Sequence, residues 1–283
     1  MKSTTLKNML ILGIMLLVVA GCNSSAKKSK GTTTDGKEAS VEVEEFDVVK
    51  MKDQIVEAIQ KMPKISDVAD MLNQAGASYI IDLTVPVEDA EKMLTSYQKS
   101  LGLGMFSFDF EYAHVYNRGD KVAQIGELLK QLIRDLGLET ELTSSEGYVE
   151  RIKTNTENKD SVDYLVTSAI NFANQQLAAS DRPDVYALSV IGGNVEALYI
   201  LTQVALFAND NTEFLNILSN QNERVSTVFS LLELMSGDET IKPYYESLAP
   251  LADIFKQNDR IEAEQLNQMV PVIEKTRSMM LMK

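Results

Sequence analysis

The stretch "GMFSFDFEYAHVY", residues 104–116, decides the fold. Phe106, Phe108, Phe110 and Tyr112 alternate with Ser107, Asp109 and Glu111, the period-two pattern of a half-buried strand with its polar side chains in water. On a helix, Asp109, Tyr112 and Tyr116 share one face, and Phe106, Phe110, Ala113 and Asn117 the next. A strand needs a partner, and the candidates are "SYIIDLTV" (78–85) and "VEVEEFDVV" (41–49). Two or three isolated strands among helices make a marginal sheet. The helical reading is preferred. It requires partners for a buried Asp109, and the hydroxyls of Tyr112 and Tyr116 supply only part of them.

Outward from this stretch the apolar period is 3.6. In "DKVAQIGELLKQLIRDLGL" one stripe holds Val122, Ile125, Leu129, Leu132 and Leu136, and Gly137 follows as a C-terminal stop. In "SVDYLVTSAINFANQQL" the stripe is Val162, Leu165, Val166, Ala169, Ile170, Ala173 and Leu177. Further helices are expected at 47–62, 65–75, 87–100, 183–208, 212–219, 221–236, 239–257 and 261–281. Pro86, Pro183 and Pro243 fall near helix starts, and Asp238 is a natural cap. Pro250 and Pro271 lie inside apolar patterns, where a kink or a break is expected. Short connections favour antiparallel neighbours. The expected class is all-α, an irregular bundle or a stack of antiparallel helical hairpins. A tetratricopeptide array is not supported, because the chain has no tryptophan and a period of about 34 residues cannot be aligned twice.

The start of the chain reads differently. Lys2 and Lys7 precede an apolar run from Met9 to Ala20, then Gly21 and Cys22, the order of a secretory signal over 1–21. The ending "VVAGC" resembles the lipobox of bacterial lipoproteins, which implies cleavage before Cys22 and lipidation of its thiol. Cys22 is the only cysteine, so the implied mature chain has no disulfide. It needs none, because about 240 residues bury an adequate core. Residues 22–45, rich in Ser, Thr, Lys, Gly and Glu, read as a flexible tether, and 46–283 as a single helical domain. By resemblance to known sorting rules, Asn23 is not the aspartate that retains lipoproteins at the inner membrane. Delivery to the outer membrane, facing the periplasm, is the expectation. The net charge of −14 repels phosphate backbones, so nucleic acid is not an expected partner.

The runs "SLGLGMFSFDFEYAHVYN", "RIKTNTENKDS" and "ALSVIGGNVEALYILTQ" together resemble an uncharacterised family of all-helical lipoproteins from Gram-negative bacteria. Leu103, Gly104, Asp109, Tyr112, Ala113, Gly192, Gly193, Glu196, Leu198 and Tyr199 fit its motifs. Phe106 stands where tyrosine is usual, Asn194 where tryptophan is, and Ala197 where glycine is. The resemblance implies a fold and a location, and no catalytic role.

The chemistry in the folded part narrows to two carboxylates. Asp109 and Glu196 both sit in apolar helices with tyrosines nearby: Tyr112 and Tyr116 for one, Tyr199 for the other. Converging in a dry pocket, they would shift each other's pKa and act as acid and base, or grip a cationic ligand. Apart, each would bond to backbone or tyrosine and fix helix register. His114 is the only imidazole, which excludes the usual His-based zinc site, and no GxSxG elbow accompanies it. No cofactor motif is present: Gly102-Leu103-Gly104 lacks a third glycine, and "NDNTE" (209–213) lacks calcium-loop spacing. The 13 methionines read mainly as core filler. The stretch "VYALSVIGGNVEALYILTQVALFA" is long enough to span a membrane, but Asn194 and Glu196 make that costly. A buried central helix is preferred.

The expected function is a non-catalytic helical binding or scaffold module of the cell envelope, anchored in the bilayer through acylated Cys22 and engaging an envelope protein or a small molecule. The alternative is an enzyme or small-ligand receptor built on Asp109 and Glu196. A purely structural envelope protein is the third option.

Overall fold

Residues 104–115 are helical, inside one helix that runs from Ser96 to Val115. The structure, a computed structural model, describes residues 48–138, 159–208 and 212–282, together with 147, 151 and 154. The expected signal, Cys22, the tether, most of the strand candidate at 41–49 and most of the run "RIKTNTENKDS" lie outside the described residues. Among those described there is no strand. They form ten α-helices: α1 (Val48–Lys61), α2 (Ser66–Gln74), α3 (Ser96–Val115), α4 (Gly119–Asp135), α5 (Lys159–Ala179), α6 (Pro183–Phe207), α7 (Thr212–Ser219), α8 (Asn222–Leu234), α9 (Lys242–Gln257) and α10 (Ala263–Met280). Two 3₁₀ turns, Ile81–Leu83 and Val87–Lys92, occupy the long connection between α2 and α3. The protein is all-α.

The centre is the pair α3 and α6, which make the most extensive helix contact in the fold. Every residue of α3 from Ser100 to Ala113 is buried except Ser107, and α6 is buried from Tyr186 to Ala205 save Val190 and Tyr199. Three glycines let the two backbones touch. A Cβ on Gly104 would collide with the carbonyl of Ser189 and with Gly193, and one on Gly192 would collide with the carbonyl of Leu101. Only hydrogen fits there. The remaining helices surround this pair: α4 packs on α3, α10 on α6, and α9 joins α8 to α10. The last contact includes a 2.8 Å hydrogen bond between the hydroxyls of Ser247 and Thr276. Helix α6 has the length and hydropathy of a membrane span, yet 78% of its most apolar window is buried inside the protein. Its apolar surface faces other helices.

Two local expectations need correction, and a third is narrowed. The helix expected at 87–100 is two elements, because the side chain of Gln98 accepts the backbone N–H groups of Leu94 (2.8 Å) and Thr95 (2.9 Å). Thr95 in turn accepts from the N–H of Gln98 at 3.2 Å, and this capping box starts α3 afresh. Asp238 does not cap α9, which begins at Lys242. Its carboxylate accepts from the N–H of Thr240 at 2.7 Å and from the hydroxyl of Tyr97 at 2.8 Å, fixing the turn before the helix and tying it to α3. Pro250 and Pro271 lie within α9 and α10 without dividing them. Gly137 does end α4, with φ of +70° and the N–H of Leu138 returning to the carbonyl of Ile133 at 3.0 Å.

The glycine contact makes a sharp prediction. Gly104→Ala should lower the free energy of unfolding by about 3 kcal/mol or more, the upper range for overpacking a rigid contact. Gly119→Ala, where nothing lies near the added methyl group, should change it by less than about 1 kcal/mol. Urea unfolding of the two variants checks this, and equal effects would disprove the role given to the crossing.

Candidate functional site

The two carboxylates singled out in the sequence do come together, with a third group that the sequence reading did not name. Arg277 of α10 reaches Glu196 of α6 with Nε to Oε2 at 2.7 Å and Nη2 to Oε1 at 2.7 Å. This two-pronged geometry is the strongest form of the pair. Its guanidinium lies 4.0 Å from the centre of the Tyr199 ring and donates to the carbonyl of Leu83 at 3.1 Å. Glu196 is wholly buried and Arg277 nearly so. Asp109 of α3, also wholly buried, accepts the N–H of Val85 at 2.8 Å through Oδ2. Burial pushes its pKa well up, and the charge of Glu196 pushes it further, against the Val85 bond and Arg277. A neutral Asp109 leaves one negative and one positive charge in this sealed space. Neither Asp109 nor Glu196 lines the main cavity described below.

The tyrosines divide. Tyr199 belongs to the ion pair, but Tyr112 and Tyr116 serve the connection between α2 and α3. The hydroxyl of Tyr112 accepts from the N–H of Ile80 at 3.1 Å and donates to the carbonyl of Ser78 at 3.3 Å. The Tyr79 ring packs on both, with centres 4.8 Å from Tyr112 and 5.9 Å from Tyr116. The partner of Asp109 is therefore the backbone of Val85, not a tyrosine hydroxyl. The five candidates hold the 78–85 segment and α10 against the central pair.

The open space is elsewhere. A cavity of about 340 Å³ lies among α1, α3, α4, α5 and α6, with the turn from Met62 to Ile65 at its edge. Helix α3 contributes Leu103, Gly104, Ser107, Phe110 and Glu111, and α6 contributes Tyr186, Ser189, Val190, Gly193 and Asn194. Both sets recur at three- and four-residue steps, one face of each helix. From α4 come Leu129 and Ile133, and from α5 Ala169, Ile170 and Ala173, all only half-buried. The walls are mainly apolar, and the size falls in the lower range of small-molecule sites, about 300–1,000 Å³.

Glu111 is the one buried acid in these walls, 3% exposed. Its Oε2 has no hydrogen-bond partner, and among the described residues it is the only such buried side-chain atom whose residue lines the cavity. Burial raises its pKa to about 8, helped by the charges of Asp70 and Asp67 and opposed by Lys64 and Ser66. The serines and the asparagine that the central pair turns to the cavity are occupied. Ser107 donates to the carbonyl of Leu103 at 2.6 Å, Ser189 to that of Tyr186 at 2.8 Å, and Asn194 to that of Val190 at 2.7 Å. Arg224 of α8, 2% exposed, braces this wall. It donates to Asn194 (3.0 Å), Gln221 (2.8 Å) and the carbonyls of Pro63 (3.0 Å) and Lys64 (2.9 Å).

Three functional residues were thus missed from sequence. Arg277 stands on the stripe Leu266, Met269, Ile273, Met280, and Arg224 on the stripe Val228, Leu231. A cation on an apolar stripe signals a buried partner. Glu111 lies four residues after Ser107 and seven after Gly104, so its place on the glycine face was readable once the helix was accepted.

Two stability measurements follow. Arg277→Met strands a buried carboxylate, so unfolding should become easier by about 3–5 kcal/mol, with much of that recovered in Arg277→Met combined with Glu196→Gln; a single variant as stable as the parent would contradict the ion-pair assignment. Glu111 takes up a proton on folding wherever the pH lies between the ordinary glutamate value and about 8. Its contribution to stability is therefore greatest below that window and declines as pH rises through it, by on the order of 4 kcal/mol. Glu111→Gln should remove that share of the pH dependence and leave the variant the more stable at pH 8.5. Parallel unfolding profiles would disprove it. No family model, no curated protein and no solved structure matches this chain, and its function is argued from this geometry.

Proposed function

We propose that the protein is a lipid-anchored binding module of the cell envelope, held at the outer membrane through acylated Cys22 and facing the periplasm. Its helical domain takes up a small, mostly apolar molecule without transforming it. The observation that carries this reading is the cavity beside α3 and α6, apolar over most of its wall and bearing one unsatisfied polar atom, Glu111 Oε2. An apolar wall with a single polar contact is the design of a receptor or carrier site. Catalysis is disfavoured by the state of the hydroxyls: Ser107 and Ser189 are committed to carbonyls of their own helices. The alternative pocket built on Asp109 and Glu196 receives no support, because the Arg277 ion pair fills that space.

The test uses the full chain carrying Cys22→Ser, prepared without detergent, and the dye 1-naphthylamine, which is uncharged at neutral pH and small enough for the cavity. Binding should appear as enhanced, blue-shifted emission. Ala173→Phe, which places a ring in the cavity from α5, should weaken it at least tenfold with the helical circular dichroism spectrum unchanged. Absence of binding, or equal binding by the filled variant, would overturn the proposal.

A further inference from the structure

We infer that the cavity binds a hydrophobic amine, with an apolar body seated between α3, α4, α5 and α6 and an ammonium group on Oε2 of Glu111. The inference rests on the binding-module reading above and adds the chemical class of the ligand.

Three observations carry it. The first is the orphaned carboxylate oxygen, since a buried charge calls for a partner and the chain supplies none to Oε2. The second is the distribution of charge around it. From α3 comes Glu111 itself, and from α2 come Asp67 and Asp70, both close enough to act on it. On the positive side, Arg224 of α8 spends its donors on Gln221, Asn194 and two carbonyls. Lys130 of α4 is paired with Glu127 at 3.0 Å, and Lys64 lies in the exposed turn. The faces that α1, α5 and α6 turn to the cavity carry no charge. With Glu111 ionised, the positive groups that act on it are Lys64 and the buried guanidinium of Arg224, yet neither places a donor on Oε2, and an ammonium supplies one. An anionic ligand would be repelled. The chain's net charge of −14 also draws cations toward the protein.

The third observation is size. At about 30 Å³ for each water-sized group, 340 Å³ holds roughly a dozen non-hydrogen atoms. A straight or singly ringed amine of that size fits. The empty cavity keeps a proton on Glu111 at neutral pH, and an arriving ammonium displaces it. Below the pKa of about 8, each amine bound releases one proton from the carboxyl group to solvent. A neutral alcohol or carbonyl would instead accept that proton in a hydrogen bond and release nothing.

Isothermal calorimetry on the full chain carrying Cys22→Ser distinguishes these. At about pH 6.5, n-decylamine should bind at least tenfold more tightly than n-decanol, with n-decanoate weakest, and two buffers of different ionisation heat should report close to one proton released per amine. Release should fall toward zero well above pH 8. Glu111→Gln should bring the amine down to the affinity of the alcohol while alcohol binding persists, which certifies that the variant is folded. Equal affinities for amine and alcohol, or amine binding without proton release, would overturn the amine assignment and leave the cavity reading intact. No binding of any of the three would overturn both.

Discussion

The close crossing of α3 and α6 governs the rest of the molecule. Because Gly104, Gly192 and Gly193 carry no side chains, the two backbones meet directly, and everything that would fill an ordinary helix interface is displaced to the flanks. Each glycine costs about 1 kcal/mol in helix propensity relative to alanine. The return is a long contact of backbone atoms with the dispersion that accompanies it. Two consequences follow. Both helices become core on nearly every side, so polar residues on them must find partners inside the protein. The surrounding helices are also held to the shape of this pair, and where their side chains fall short a cavity remains.

That same crossing explains what the sequence did and did not disclose. The alternation of Phe106, Phe108 and Phe110 imitates a strand because α3 is buried all round, and a helix without a wet face loses its 3.6 period. Helix α4, wet on one side, kept its stripe of Val122, Ile125 and Leu132 buried and was legible at once. The break before α3 was not, because it depends on one side chain, Gln98, choosing the N–H groups of Leu94 and Thr95 over solvent. The effect of Pro250 and Pro271 was likewise illegible: the packing of α9 against α10 keeps each helix whole where local propensity argues for a break.

For the site, sequence identified buried carboxylates but not their fates. Asp109 and Glu196 were readable as acids in apolar helices, and they do meet. What converts them from a reactive pair into a clamp is Arg277, 81 residues beyond Glu196, and no local pattern connects the two. The cavity is a property of four or five helices at once. Its volume depends on how far Leu129, Ile133, Ile170 and Val190 reach across a gap, and a sequence does not contain that distance.

Asp109 and Glu111, two residues apart on α3, show how one helix assigns opposite duties to the same chemistry. Asp109 lies away from the cavity: the N–H of Val85 answers one oxygen, the other is buried without a partner, and the neighbouring charges of Glu196 and Arg277 cancel. Burial and the charge of Glu196 both favour its protonated form, which suits a structural group. Glu111 has a hydrogen bond with Ser66 of α2, but it stands in the cavity wall with its Oε2 unpartnered, an arrangement that costs stability. A glutamine or a leucine would fold at least as well there, since unpaired buried acids are a liability. A carboxylate retained at the wall of a cavity is therefore explained by what enters the cavity. Any molecule that satisfies it relieves the unpaired group, so binding and stability are linked: the folded state gains RT ln(1 + [L]/Kd) from its ligand, and the cost carried by the empty protein becomes part of the affinity for the right occupant.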